Sequence, residues 1–528
     1  MKIKSLLLTL CFLCGLQSIY GQQTEEISEF SIQHPASHYA PPRKEIRNLL
    51  TSDGSQTAEN GPMQRASGEY IMNEFPTTGY IKGVVILAAF ADVPFSISND
   101  SINKLLSNRF NADNYREEIS FNDSSSVYKQ WLSLECTIPG SARDYFRDQS
   151  FGQFVPSFDI IGPIELDSVR SYYGANNSSG NDKNTSAMIR EACQKAYNLG
   201  LTDFTDYDND DNAIVDFVYV VYAGSDEAQT GISEAIWAKA SSISLTLGNG
   251  MKINRYACSG ELVIDLPVVA GIGTLVHEFS HVLGLPDFYN TKAEDFTMDI
   301  WSVMDYGMYN AEGFVPCGYT AFERYSLGWI PMQTLETPAT LSIGSTDEEG
   351  RGYRIFTAKA DTTSSVVTDT TSFYMLETIR REGWNRYAAA NGLLVTEVTY
   401  DRSAWRGNTV NVGTHRHCVV PANNDYNYKT ANKHLFGTAN HEFTLNSTPA
   451  SITQFGKAMD KPLTDINYDA TTGKTTFHFC GGNTENSIES SSTLNPQFST
   501  PTYDLFGRPL KQPTKGLYIQ NGKKVLIK

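Results

Sequence analysis

Hydrophobic positions follow two rhythms along this chain. Up to Pro331, unbroken apolar runs alternate with stripes at helical spacing, and beyond it short β-prone segments separated by turns take over. Gly83 to Phe90 (GVVILAAF) is an uninterrupted apolar run, the pattern of a strand buried on both faces. Ser141 can cap a short helix through Phe146. Thr185 or Ser186 can cap a longer one, in which Met188, Ile189, Ala192, Cys193, Ala196 and Tyr197 form a core stripe that Gly200 ends. A second strong strand is expected at Phe217 to Tyr222. After Gly328, Trp329, Ile330 and Pro331 come the β segments Tyr353 to Thr357, Phe373 to Thr378, Leu393 to Tyr400 and Thr475 to Phe479. The stretch 481–502 has the Ser, Thr and Asn content of a linker, and the last 26 residues read as two short strands around an Asn521-Gly522 turn.

The N-terminus changes this picture in one respect. Lys2 and Lys4 precede an apolar run from Leu6 to Leu13, which is far shorter than the roughly 20 residues that span a bilayer. It predicts a secretory signal peptide over 1–21 and a secreted or cell-surface protein with no membrane span. The polar stretch 22–77 is then either a propeptide or an ordered arm. A net charge of −17 argues against nucleic acid, which calls for a basic face. Of eight cysteines, six lie beyond the leader: Cys136, Cys193, Cys258, Cys317, Cys418 and Cys480. They are too sparse for a disulfide scaffold and open to two readings, pairing or simple burial.

Chemistry concentrates in Thr274 to Asn290, TLVHEFSHVLGLPDFYN. On a helix His277 and His281 leave the same face one turn apart, so both imidazoles can ligate one metal. Glu278 beside them can hold a metal-activated water and take its proton. Gly284 permits the left-handed turn that ends the helix, and Pro286 forbids its continuation. Asp287 then becomes the natural third ligand and leaves one position open, as in catalytic zinc sites. Zinc is preferred because this donor set suits hydrolytic Lewis-acid chemistry.

Two further groups carry open readings. In Asp208 to Asp216 oxygens recur at every second position, so Asp208, Asp210, Asn212, the Ile214 carbonyl and Asp216 form a candidate calcium loop. Against it, Ala213 stands where such loops use glycine, and the alternative is a solvated acidic turn. Downstream, Ser302-Val303-Met304-Asp305-Tyr306 looks like the methionine turn that lies beneath the metal in metzincins. Met304 would then be structural at the site, while Tyr306 is either a catalytic oxyanion partner or packing.

The segments GVVILAAFADVPF, SARDYFRDQSFGQF, SYYG, FTDYDNDDNAIVDFVYVVYAG, GTLVHEFSHVLGLPDFY and GYTAFERYSLGWI, in this order, resemble the immune inhibitor A family of bacterial metallopeptidases. The resemblance implies an α+β fold: a metzincin-like catalytic domain, with a twisted, mostly parallel sheet and backing and active-site helices, followed by an all-β, sandwich-like domain. It supports Asp287 as third ligand, and it marks Asp211 and Ala213 as departures from the family's glycines. The final residues are similar to the C-terminal sorting tails of exported Bacteroidetes proteins, which implies an export machinery as partner.

The expected organisation is signal peptide 1–21, propeptide or arm 22–77, catalytic domain 78–334, β domain 335–480, linker 481–502 and tail 503–528. The expected function is a monomeric, secreted, zinc-dependent endopeptidase acting on protein or peptide substrates. The rival is a metal-stabilised surface binding protein that uses the β domain, and Glu278, which a purely structural zinc site does not need, speaks against it.

Overall fold

The computed structural model describes residues 75–122, 133–263, 266–358 and 368–482, together with short strands beyond them. The expected signal peptide and nearly all of the N-terminal arm lie outside the described residues.

The first half is built on one sheet. Its strands are β1 (Gly79–Ala89), β4 (Phe154–Glu165), β5 (Ile214–Val215), β6 (Val218–Ser225), β7 (Lys239–Thr246) and β8 (Lys252–Leu262), while β2 (Glu117–Asn122) and β3 (Ser133–Ile138) form a separate hairpin. The strands β4, β1, β6 and β8 lie side by side and parallel, and β5 joins β8 in parallel beside the start of β6. Only β7 runs antiparallel, and it closes the far side of β8 as an edge strand. The apolar run of β1 is buried from Val84 to Ala88 because a central parallel strand is covered on both faces.

Helices α1 (Asn99–Asn111), α2 (Ala142–Gln149) and α3 (Thr185–Asn198) pack along β4. Ser141 caps α2 as expected, in a reciprocal capping box with Asp144, and the helix runs three residues past Phe146. The start of α3 differs from expectation. Asn184 is the boundary residue, and the Thr185 hydroxyl turns away to the Asp182 carboxylate at 3.1 Å instead of capping the helix.

Helix α4 (Gly273–Val282) carries the two histidines and is buried on every side. Its Phe279 sits in an aromatic cluster with Phe217 at 4.5 Å, Phe146 at 5.2 Å and Phe158 at 5.7 Å between ring centroids. At its N-terminus a Cβ on Gly273 would meet the Met308 carbonyl oxygen at 2.0 Å, so only glycine lets the helix approach that segment so closely. Helix α5 (Ala321–Ser326) follows, with a Thr320–Glu323 capping box.

Beyond it lie β9 (Met332–Thr334), β10 (Ala339–Ile343), β11 (Gly352–Ala358), β12 (Thr368–Ile379), β13 (Gly392–Thr399), helix α6 (Arg402–Arg406), β14 (His417–Val419), β15 (Leu463–Asp469), β16 (Lys474–Phe479) and β17 (Ser487–Ile488). They make a five-stranded sheet, β14-β13-β12-β11-β9, and a four-stranded one, β15-β16-β10-β17. Leu341, Tyr374, Leu376, Leu393, Val395, Phe477 and Phe479 share a core between the two sheets. On the other face of β12 and β13, Phe373, Met375, Leu394 and Val398 join the core of the first half. Strict alternation along two central strands thus fastens the β region to the rest of the molecule. Strand β9 already belongs to this sheet, upstream of the expected boundary at residue 335.

The C-terminal segment holds β18 (Thr502–Tyr503), β19 (Pro509–Leu510), β20 (Gly516–Gln520) and β21 (Lys523–Ile527). β20 and β21 pair antiparallel as expected, and their Asn521-Gly522 turn lies outside the described residues. No disulfide forms among the described cysteines: Cys136, Cys193, Cys258, Cys317 and Cys418 are buried thiols and Cys480 is half-buried. No described helix is long and apolar enough to cross a membrane.

Candidate metal centre

The centre is assembled by the end of one helix. His277 and His281 project from α4, and their ring centroids lie 4.8 Å apart. Each Nδ1 faces a backbone carbonyl, Val303 O for His277 and Leu285 O for His281, both at 2.8 Å. A carbonyl can only accept, so each Nδ1 carries the proton and each Nε2 keeps its lone pair. The chain reaches Leu285 through Gly284, whose φ of +103° is the turn expected at that position.

The same turn delivers Asp287. Its Oδ1 lies 3.2 Å from His277 Nε2 and 3.3 Å from His281 Nε2, with all three residues fully buried. These three atoms have no hydrogen-bond partner. Two imidazole nitrogens and a carboxylate oxygen, buried together without hydrogen-bond partners, suit a shared cation. A tetrahedral ion with bond lengths of about 2.0–2.1 Å has ligands about 3.3 Å apart, so the donor set and its spacing fit zinc.

Glu278 is also buried, and its ligand atom lies within 4.8 Å of those of both histidines. Its Oε2 is without a partner. Burial pushes its carboxyl up to about 8, against the influence of the His277 ring and of the Ala240 N–H on edge strand β7.

Met304 is fully buried, and its carbonyl accepts the Phe288 N–H at 2.8 Å. The turn is pinned from outside, since Ser302 Oγ donates to Glu323 at 2.5 Å and Asp305 Oδ2 accepts from Thr297, Met298 and Asp299. Tyr306 is half-buried against Tyr309, and the charges around it are Asp305, Asp299 and Glu294. Two tyrosines that the sequence reading passed over stand closer to the chemistry. Tyr289 and Tyr309 are buried, and Asp287 and Glu278 are among the charges that act on each.

A third missed residue comes from the β region. Asn408 donates from Nδ2 to Asp287 Oδ2 at 2.6 Å and accepts the Asp287 N–H at 2.8 Å. It stands 121 positions from its partner, so no local signal could have pointed to it.

In the acidic loop, ligand atoms of Asp208, Asp210 and Asp216 gather within 4.8 Å of one another. Asp208 accepts the N–H groups of Asn212 and Ala213, Asn212 Oδ1 accepts the Ile214 N–H, and Asn209 binds Asp216. Asp211 and Ala213, the two departures from glycine, both take left-handed backbone, with φ of +59° and +62°.

The family model of the immune inhibitor A peptidase M6 catalytic domain matches residues 77–330, a little under half of the chain. The pre-pro-metalloprotease PrtV of Vibrio cholerae is 23% identical over 276 residues, which cover 47% of this chain and 29% of that protein. Immune inhibitor A of Bacillus thuringiensis is 23% identical over 288 residues, 49% of this chain and 38% of that protein. The chain thus spans about a third of the length of these curated relatives. Residues 77–330 therefore match a peptidase M6 catalytic domain, and the match together with these relatives supports a metalloendopeptidase, a hydrolase.

Proposed function

We propose that the protein is a secreted zinc-dependent endopeptidase whose metal is held by His277, His281 and Asp287. The observation that carries this reading is the convergence of two imidazole lone pairs and one carboxylate oxygen at 3.2–3.3 Å, with the Glu278 carboxylate alongside. A divalent cation held there supplies Lewis acidity toward water and toward a peptide carbonyl. Glu278 takes the proton of the attacking water and passes it to the departing amine. Edge strand β7, whose Ala240 N–H faces Glu278, offers an extended peptide a partner for strand addition beside the catalytic carboxylate.

Other roles complete the proposal. Met304 supports the histidines from below, and Tyr306 packs against Tyr309. The loop of Asp208, Asp210, Asn212, Ile214 and Asp216 is a calcium site, supported by its clustered carboxylates and by its left-handed residues at the turns. The leader 1–21 directs export, a propeptide within 22–77 is removed on activation upstream of the buried Phe75, and the C-terminal strands serve as a sorting tail. The catalytic domain of 78–334 is shortened by β9, which pairs with β11, so the limits become 78–331 and 332–480.

The test is metal analysis and casein digestion by the chain without its leader, with and without chelator. One zinc per chain and chelator-sensitive cleavage are expected. A zinc-loaded protein that cuts no protein substrate, even after removal of the N-terminal segment, would favour the binding-protein alternative.

A further inference from the structure

The candidate third metal ligand, Asp287, is gripped by a residue 121 positions further along the chain. Asp287 turns Oδ1 to the two imidazoles and Oδ2 to the Asn408 side-chain amide, and the Asn408 carbonyl oxygen takes the Asp287 N–H. Both ends of one amide thus hold both the backbone and the carboxylate of one ligand. A carboxylate left free could rotate or chelate with both oxygens, and with Oδ2 engaged only Oδ1 faces the metal.

The grip is built into the fold. Asp401 caps α6, and Trp405 on that helix is fully buried, with Phe288 and Phe322 beside it. The chain then turns at Asn408, which is buried and has a φ of +49°. Asparagine is among the few side chains that tolerate this left-handed conformation. Around it, Thr291 Oγ1 donates to the Asn408 backbone carbonyl at 3.0 Å, and Asn411 Nδ2 donates to the Phe288 backbone carbonyl at 2.6 Å.

We infer that Asn408 is a positioning residue for the metal centre, so that the β region beyond the matched catalytic segment completes the site. The inference rests on the reading of Asp287 as a ligand. Outer partners of metal ligands are worth about 10- to 100-fold in metal affinity.

The experiment titrates zinc into metal-free full-length chain against a chromophoric chelator, and melts each metal-free variant. Asn408→Gly keeps the left-handed turn and removes the amide, and zinc should bind about 10- to 100-fold more weakly. Asn408→Ser, whose hydroxyl is too short to span both partners, should show a similar loss and serves if the glycine variant does not fold. Asn424→Gly, at another left-handed but exposed asparagine, should bind zinc as wild type does. A lower melting temperature with unchanged zinc affinity in the Asn408 variants would mark a merely structural role and overturn the inference. If wild type takes up no zinc, or Asp287→Ala binds it equally well, the metal-centre reading itself fails.

Discussion

Each imidazole at the centre is fixed by a backbone carbonyl on Nδ1, and beside them the Glu278 carboxylate has Oε2 without a hydrogen-bond partner and able to take a proton. Glu278→Gln is therefore expected to retain zinc and to lose about 10²- to 10⁴-fold in turnover, as measured by metal analysis and peptide hydrolysis on one preparation. Loss of zinc in that variant would mean that the roles are misassigned. A second residue-scale prediction concerns Glu397, buried in the β region with the Gln454 N–H at 3.1 Å. Burial pushes its carboxyl up to about 7. Because the folded chain holds this proton more tightly than the unfolded one, the associated stability is full below the ordinary carboxylate range. It is lost as pH rises to about 7. Glu397→Gln, neutral throughout, should gain on wild type by about 2–3 kcal/mol between pH 5 and pH 8. Thermal melts at the two pH values check this, and a constant difference between the proteins would sink it.

At the scale of elements, helix α4 presents His277 and His281 only because it is seated tightly at both ends. Gly273 admits the Met308 carbonyl at the first end, and Gly284 turns the chain toward Asp287 at the second. A methyl group on Gly273 must push the helix off the segment that follows the methionine turn. Gly273→Ala is expected to cost about 1–3 kcal/mol in chemical denaturation and to weaken zinc binding with it. Wild-type stability in that variant would show that the contact relaxes freely. The acidic loop illustrates the opposite case, since Ala213 and Asp211 adopt the left-handed turns that glycine would have taken. Absence of glycine was therefore a weak argument against the loop geometry.

Over the whole molecule, β12 and β13 bury one face in each of two cores. Catalytic segment and β region should therefore melt together, and calorimetry of the metal-free chain should give one main transition. Two well-separated transitions would refute this coupling. Zinc at 1,000 times its dissociation constant should add about 4 kcal/mol to that transition, and chelator should remove it.

The sequence by itself determined the local pieces. Apolar runs placed β1 and β6, helical spacing put His277 and His281 on one face, and Gly284 with Pro286 announced the turn toward Asp287. These follow from backbone geometry within a few residues, where spacing is legible. The helix start at Asn184 escaped because the Thr185 hydroxyl found a partner outside the helix. Tertiary structure alone decided what stands around the metal centre: Tyr289 and Tyr309 near its carboxylates, Tyr306 among the acids of the turn, and Asn408 on Asp287. Such contacts join residues far apart in the chain. They depend on how the five-stranded sheet and α6 pack against the catalytic core, which no local pattern of hydrophobic and polar positions encodes.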